Sequence, residues 1–381
     1  MQRPHRFLSR PWLLLCLLCL TSLSSLSGWA APPPKKTLRI ALLTPRNDEF
    51  WTLFNTICQA AAQDLEIVLE WHPALNDPAK HLRDARAILT RRHNRVDALI
   101  MKNYSGTAGP IIELAEKAGV YTLLFEEGFT PEEQKQYGRP REKYPHWLGE
   151  MLPDNLEAGY DGGKQLIEIA RTQGRPLRML ILAGNVSEGS SQERTRGLQV
   201  ALNEHPDVRV EDFVAGYWRR DLAYTQVRKA LTRYPDINLI WSANDTMPVG
   251  AREAVIDHFQ AEKKPAPVWI SGIGSTPPAA QDVVSGKVDI SVGGQFLLGA
   301  FGLVLLHDYL HGRDFALESS LMRMRMYAFS AANIGPYARA MQQPKAWEKI
   351  DFAQFSKVRN PQRYKYDFGF APILAQLGSS L

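Results

Sequence analysis

Cysteine is scarce in this chain of 381 residues: there are three, and two of them, Cys16 and Cys19, fall in the first twenty positions. A scaffold built on disulfides is therefore excluded. Long apolar runs are scarce too. The single candidate, Pro11–Leu20, lies at the very start, which excludes a protein of several membrane spans. There is no short internal repeat and no low-complexity tract. Charge of one sign is in small excess, with 45 basic against 40 acidic residues and a formal net charge of +5. What is present is ordinary for a globular chain. Apolar residues make up 45% and charged residues 22%, near the usual values of about 45–50% and 25%. At roughly 100–200 residues per domain, the length has room for two or three.

The first thirty residues read as a secretory signal peptide. Arg3, Arg6 and Arg10 form a positive start, Pro11–Leu20 an apolar core, and Gly28-Trp29-Ala30 a small-residue cleavage site. Cleavage after Ala30 removes three of the 45 basic residues and no acidic one, leaving 42 against 40, a net +2. Nothing then points to nucleic acid as a partner. The mature chain keeps only Cys58, inside an apolar helical stripe where a thiol is core. Residues 31–36 (APPPKK) read as an extended tether.

Strand and helix patterns then alternate. Thr37–Leu43, Ile67–Trp71, Ala98–Met101 and Tyr121–Phe125 are short apolar runs. Between them, Phe50, Leu53, Phe54, Ile57, Ala61 and Leu65 recur at helical spacing, and Pro78–Arg92 and Pro110–Ala118 are helical, the former opened by Asp77 as cap and Pro78 at the first position. Gly128–Tyr144 is polar and Pro/Gly-containing, a loop or insertion. The alternation restarts with helix Asn155–Arg171 and runs through strands Leu177–Leu182, Arg209–Gly216, Leu239–Ser242, Val268–Gly272 and Ile290–Gly293, then helix Phe296–His311 and strand Met322–Met326. Such an order means α/β architecture: two Rossmann-like lobes, each a parallel sheet flanked by helices. The last fifty-odd residues are less periodic and rich in aromatic and basic residues.

In open parallel sheets, ligands sit beyond the carboxyl ends of the strands. The residues there are Thr44–Trp51, Lys102–Ser105, Glu126–Glu127, Gly184–Arg194, Tyr217–Arg220, Asn244–Asp245, Gly274 and Gln295. Aromatic rings and bidentate hydrogen-bonding groups dominate this set. Rings stack on the C–H faces of a polyol, while Arg, Asp, Asn and Gln pair with its hydroxyls.

On these residues the chain resembles the type I periplasmic solute-binding proteins of the ribose/galactose/xylose-binding group, over about Leu38 to Met326. RIALLTPRNDEFW is similar to that family's first strand, polar turn and aromatic pair. NDPAKHLRDARAILTRRHNRVDALIM resembles its asparagine-proline helix and next strand, and PDNLEAGYDGGKQL its crossing into the second lobe. SSQERTRGL, WSANDTMPVGA and IGSTPPAAQDVVSGKVDISVGGQ resemble the loop with a ligand-facing arginine, the strand-asparagine-aspartate-helix element, and the stretch before a hinge glutamine. The resemblance implies two lobes joined by three hinge crossings, near Pro153, Gln295 and Met322. The N-terminal lobe is expected to hold 37–152 plus 296–322, and the C-terminal lobe 153–295 plus 323–381. It further implies an exported, periplasmic, monomeric binding protein with no catalytic role and no cofactor or metal. Such a protein closes on a small sugar-like ligand and delivers it to an ABC permease. A ligand-binding accessory of a membrane sensor kinase or cyclase is the alternative. The segment 128–144 and the tail 330–381 exceed a minimal transport binder and point weakly that way.

Position by position, the resemblance places Asp48, Phe50, Trp51, Glu126, Glu127, Arg194, Trp218, Asn244 and Gln295 against the ligand. Asp48 equally suits a helix cap, and Asp245 suits the cap of the helix after it. Trp51 and Trp218 would sandwich a ring, and the Arg194 fork would donate to adjacent oxygens. Two positions depart from the pattern. Gly274 stands where sugar binders place an aspartate, and Glu126-Glu127 where the pentose group has aspartate-arginine. These leave open another sugar, a polyol, a furanosyl signal or an amine held through cation–π contacts.

Enzyme motifs are missing. Glu126 and Glu127, adjacent in an extended segment, point to opposite faces and make no glycosidase pair. His307 and His311 stand four apart without the glutamate of a zinc protease. Gly184–Ser191 lacks the lysine of a phosphate loop, and there is no nucleophile elbow.

Overall fold

The computed structural model describes residues 37–262 and 268–379. The expected leader, with Cys16, Cys19 and its cleavage site, and the tether at 31–36 lie outside the described residues. Two six-stranded sheets organise the rest.

The first sheet is built from β1 (Leu38–Thr44), β2 (Ile67–Pro73), β3 (Ala98–Met101), β4 (Tyr121–Phe125) and β5 (Trp147–Pro153). Helices α1 (Glu49–Asp64), α2 (Pro78–Leu89), α3 (Ala108–Ala118) and α4 (Pro131–Tyr137) connect them. The second sheet is entered through α5 (Asn155–Arg171). It takes β6 (Leu177–Ala183), α6 (Gly189–Glu204), β7 (Val208–Ala215), α7 (Arg220–Arg233), β8 (Leu239–Ser242), α8 (Met247–Glu262), β9 (Trp269–Gly274), α9 (Pro277–Val284) and β10 (Ile290–Gly293). Helix α10 (Leu298–Leu310) returns to the first sheet. There β11 (Leu321–Met324) pairs parallel with β5, and β12 (Tyr327–Ser330) then pairs antiparallel with β10. The sheet orders are β11-β5-β4-β3-β1-β2 and β12-β10-β9-β8-β6-β7. Helices α11 (Gly335–Ala340) and α12 (Phe370–Ser379) belong to the tail.

The central strands β3 (ALIM) and β8 (LIWS) are buried at every position, because helices cover both faces. The chain passes between the sheets three times: after Pro153, between Gly293 and Leu298, and between Met324 and Tyr327. The last crossing thus falls at Arg325-Met326, beyond Met322, because Met322 still pairs with Met151 in the first sheet.

Three segments differ from the sequence-based expectation. The stretch at 128–144 contains α4, opened by a capping box in which Thr130 accepts from the Glu133 N–H and Glu133 accepts from the Thr130 N–H. Phe129 and Tyr137 from this stretch stack at 5.1 Å inside a core with Trp147. Strand β5 (WLGEMLP) was hidden by a glycine, a proline and a glutamate in its seven residues.

The tail is the third. Every residue of α10 from Leu298 to Asp308 is buried. A helix apolar on all sides needs a cover on each. The first sheet supplies one, α1 another through Phe54 and Cys58 beside Gly299, and the tail the rest. Phe301 packs on Phe355 at 5.1 Å and stacks on Phe368 at 4.7 Å. Asp308, fully buried, accepts from the Lys357 N–H at 2.6 Å, the Tyr366 hydroxyl at 3.0 Å and the Ser356 hydroxyl. Residues 346–368 therefore lie on the first lobe rather than with the second, where the resemblance puts them, while Phe370 at the start of α12 packs on Phe329 and Tyr337 of the second. The β12 and α11 end of the tail does stay with the second: Tyr337 Oη donates to the Ser275 carbonyl at 2.9 Å, and Gln281 Nε2 to that of Ala338 at 3.2 Å.

Candidate functional site

The carboxyl ends of the two sheets border a cavity of about 430 Å³. Eight of the nine residues singled out from sequence line it; Glu127 does not.

Trp51 belongs to the buried stripe of α1, against Phe54 and Phe125 at 5.3 and 6.1 Å between ring centroids. Its indole Nε1 is buried and has no hydrogen-bond partner among the described residues. Phe50, less buried, meets the Trp51 ring edge-on at 5.1 Å. Asp48 is exposed and committed: Oδ1 accepts from the Trp51 N–H at 3.2 Å, capping α1, and Oδ2 from Arg46 Nε at 2.6 Å. It shapes the rim.

From the second lobe, Trp218 lies against the backbone of Gly184, where any β-carbon would fall within 2.1–2.3 Å of its ring. Its Nε1 is also buried and unpartnered among the described residues. Glu126 from the first lobe and Gln295 from the middle crossing add two unpartnered buried acceptors, Glu126 Oε2 and Gln295 Oε1. Burial pushes the Glu126 carboxyl up, while Arg194 and Lys102 hold it down. Arg194 is buried. Its Nε donates to Asn155 Oδ1 at 2.8 Å and its Nη1 to the Ala243 carbonyl at 2.9 Å, while Nη2 stands 3.8 Å from Glu126 Oε1, across the lobes.

Asn244 and Asp245 both line the cavity, and it is Asn244 rather than Asp245 that caps the following helix. Asn244 Oδ1 accepts from the Met247 N–H at 2.9 Å, at the start of α8, and its Nδ2 donates to the Trp218 carbonyl at 3.3 Å. Asn244 is thus a cap that also fixes the Trp218 loop. Asp245 turns to the cavity. Its Oδ2 accepts from the Thr276 N–H at 3.2 Å and hydroxyl at 2.5 Å, and its carboxyl fills the space beside Gly274.

Lys102 belongs to the strand-end set but not to the residues that the resemblance places against the ligand. Lys102, 6% exposed, lines the cavity with its Nζ 2.9 Å from Glu127 Oε2. Nearby carboxylates, Glu127 foremost, outweigh burial and hold its ammonium charged. Glu127 itself faces a second cavity of about 320 Å³ toward the hinge, which Glu150 also lines. Around the main cavity four non-glycine residues adopt left-handed backbone: Glu126 (φ 62°), Tyr217 (51°), Trp218 (65°) and Ser275 (54°). Strain of this kind concentrates at functional sites. His307 and His311 are used internally, on Asp308 and on the His307 carbonyl, and the described residues hold no metal-ligating cluster.

Five cations and six carboxylates line the main cavity, so its charge is nearly balanced. With aromatic faces on both lobes and donors interleaved with acceptors, it suits a small, neutral, polyhydroxylated molecule better than an anion or a cation.

A family model described as a periplasmic binding protein domain matches residues 40–314. A D-allose-binding periplasmic protein of Escherichia coli is 26% identical over 217 residues, 54% of this chain and, at just under two thirds, 66% of that protein. A ribose import binding protein of Salmonella typhimurium is 24% identical over 258 residues, 68% of this chain and 79% of its own length. Among solved structures, a periplasmic sugar-binding protein from Pseudomonas fluorescens has a TM-score of 0.75 at 30% identity, over 89% of this chain and 99% of that one.

Proposed function

This chain belongs to the periplasmic binding protein family, whose members bind solutes and are not enzymes, and from that premise we propose that it captures a neutral monosaccharide or similar polyol by hinge closure. One observation carries the reading. Two buried donors, Trp51 Nε1 and Trp218 Nε1, and two buried acceptors, Glu126 Oε2 and Gln295 Oε1, border one cavity without partners among the described residues. Leaving a buried polar group unmade costs about 1–3 kcal/mol. A molecule carrying several hydroxyls satisfies all four, since each hydroxyl both donates and accepts. The relatives support the class, being named for allose and ribose.

Hinge closure is the motion that two lobes joined by three short crossings allow. A ligand that touches Trp51 and Glu126 on one lobe and Trp218 on the other binds the closed form best and shifts the population toward it. Delivery to an ABC-type permease completes the reading. The segment at 128–144 and the tail, the two features that suggested a sensor partner, each put aromatic residues into the protein's own cores, Phe129 and Tyr137 from the first and Phe352 and Phe355 from the second.

A thermal-shift screen of the mature protein against aldoses, ketoses, furanosides, polyols, amines and sugar acids tests the proposal. A rise in melting temperature with a neutral sugar or polyol, followed by micromolar affinity or about −8 kcal/mol by calorimetry, is the expected outcome. A response to amines or sugar acids alone, or to nothing, rejects it. Loss of uptake of the identified sugar in cells lacking the gene tests the delivery step.

A further inference from the structure

Helix α6 begins without a cap of its own: Glu188, the residue before it, makes no side-chain capping bond. The first N–H groups of a helix have no partner inside it, and that end carries partial positive charge. Here the N–H of Gly189 donates to Glu127 Oε1 at 3.2 Å. Glu127 follows β4 of the first sheet, whereas α6 follows β6 of the second. The cap therefore arrives from the opposite lobe.

A second bond runs beside it. Glu127 Oε2 stands 2.9 Å from Lys102 Nζ, and that ammonium stands 3.7 Å from Glu188 Oε2 across the cleft. Lys102 and Glu127 together thus present one carboxylate and one ammonium to a helix terminus and a carboxylate of the other lobe.

We infer that Glu127 is the closing latch of this protein, a positioning residue that caps α6 only when the lobes meet and so maintains a closed population before any ligand binds. Opening returns Glu127, Gly189 and Lys102 to water, which solvates each of them, so the latch biases the equilibrium without locking it. The consequence for affinity rests on the binding function proposed above; the latch itself does not.

The test is a distance measurement on ligand-free protein. Lys117 on α3 and Lys229 on α7 are exposed, one on each lobe, and take fluorophores or spin labels after substitution to cysteine. Cys58 is buried and does not compete. Glu127→Ala removes the acceptor. Gly189→Pro removes the donor at a helix position that tolerates proline, and its backbone φ is not positive. Both variants are expected to lengthen the interlobe distance, and the double variant to add nothing, since they break one bond. High salt is expected to lengthen it in the wild type more than in the variants. For any sugar found to bind, each variant is expected to weaken affinity about fivefold, the size of a lost helix cap, through faster release. Unchanged distances in both folded variants overturn the latch. Because the distance needs no ligand, a silent sugar screen defeats the binding reading and leaves this result to stand or fall separately.

Discussion

Asp245 occupies the space that a side chain on Gly274 would enter: a β-carbon there would lie 2.3 Å from its carboxyl carbon and 2.4 Å from Oδ2. Oδ2 is anchored by Thr276, so the carboxylate cannot simply turn away. The carboxylate that the strand end at 274 lacks is therefore supplied by the neighbouring strand end at 245.

Gly274→Ala is expected to destabilise the ligand-free protein by about 1–3 kcal/mol through overpacking and to abolish sugar binding. Adding Asp245→Ala relieves the clash and restores the melting temperature but not the binding. The pair Gly274→Asp with Asp245→Ala returns a carboxylate from the other side and is expected to recover part of the affinity. Full binding by Asp245→Ala alone would remove Asp245 from the site.

Trp51→Phe removes the Nε1–H together with part of the indole ring. Trp51 is buried against Phe54 and Phe125, so the unliganded melting temperature is also expected to fall, by the cost of a small core cavity, about 1–3 kcal/mol. Sugar affinity is expected to fall about tenfold, the value of one hydrogen bond to a buried site. Calorimetry and a melting curve on the same sample separate the two effects.

Arg194→Ala and Asn244→Ala each combine two losses. Arg194 ties Asn155 to the Ala243 carbonyl, and Asn244 caps α8. Both variants are expected to melt lower without ligand, Asn244→Ala by about 1 kcal/mol and Arg194→Ala by more. Arg194→Ala is also expected to lose sugar binding outright, while Asn244→Ala weakens it by loosening the Trp218 loop. A wild-type unliganded melting temperature in either contradicts the bonds described.

Glu150 supplies a pH dependence. It is buried in β5, and burial pushes its carboxyl up to about 7, against a bond from the Phe129 N–H and the charge of Arg323. A carboxyl whose folded pKa is raised contributes stability at low pH and loses it as pH climbs through the folded value. Stability is therefore expected to decline between about pH 4.5 and pH 8, by up to about 3 kcal/mol for this group. Glu150→Gln is expected to flatten that decline, as read by urea unfolding at several pH values. An equal slope in the variant would reject the assignment.

The tail supplies a stability test. Phe355 and Phe352 are buried against Phe301 of α10. Phe355→Ala is expected to cost about 3–5 kcal/mol. Removal of residues 346–379 exposes the outer face of α10 and is expected to give aggregated protein. Soluble, sugar-binding protein after that truncation would show the tail to be dispensable.

Much of this was legible in the sequence. Parallel strands buried on both faces read as plain apolar runs, so β3, β8 and β10 were visible; the strand-end rule then marked the stretches that hold Trp51, Trp218, Arg194 and Gln295, and the family resemblance picked out those residues within them. What was hidden depends on neighbours distant in sequence. Glu150 breaks the pattern of β5 because its cavity, rather than its strand, explains it. That Asn244 rather than Asp245 caps α8 goes with the space that Asp245 takes beside Gly274, and Glu127 finds its partner only when the lobes meet. The tail followed no period because its aromatics fill gaps over α10 instead of forming a face of their own. The fully apolar α10 was the available clue that something had to cover it.

The left-handed residues at the cleft carry a last consequence. Holding Glu126, Tyr217, Trp218 and Ser275 there costs on the order of 1–3 kcal/mol each, and folding absorbs that cost before a ligand arrives. A sugar thus meets a backbone already arranged, and forfeits little chain entropy on binding. Discrimination among closely related sugars then resides in residence time, because the encounter step is nearly the same for all of them.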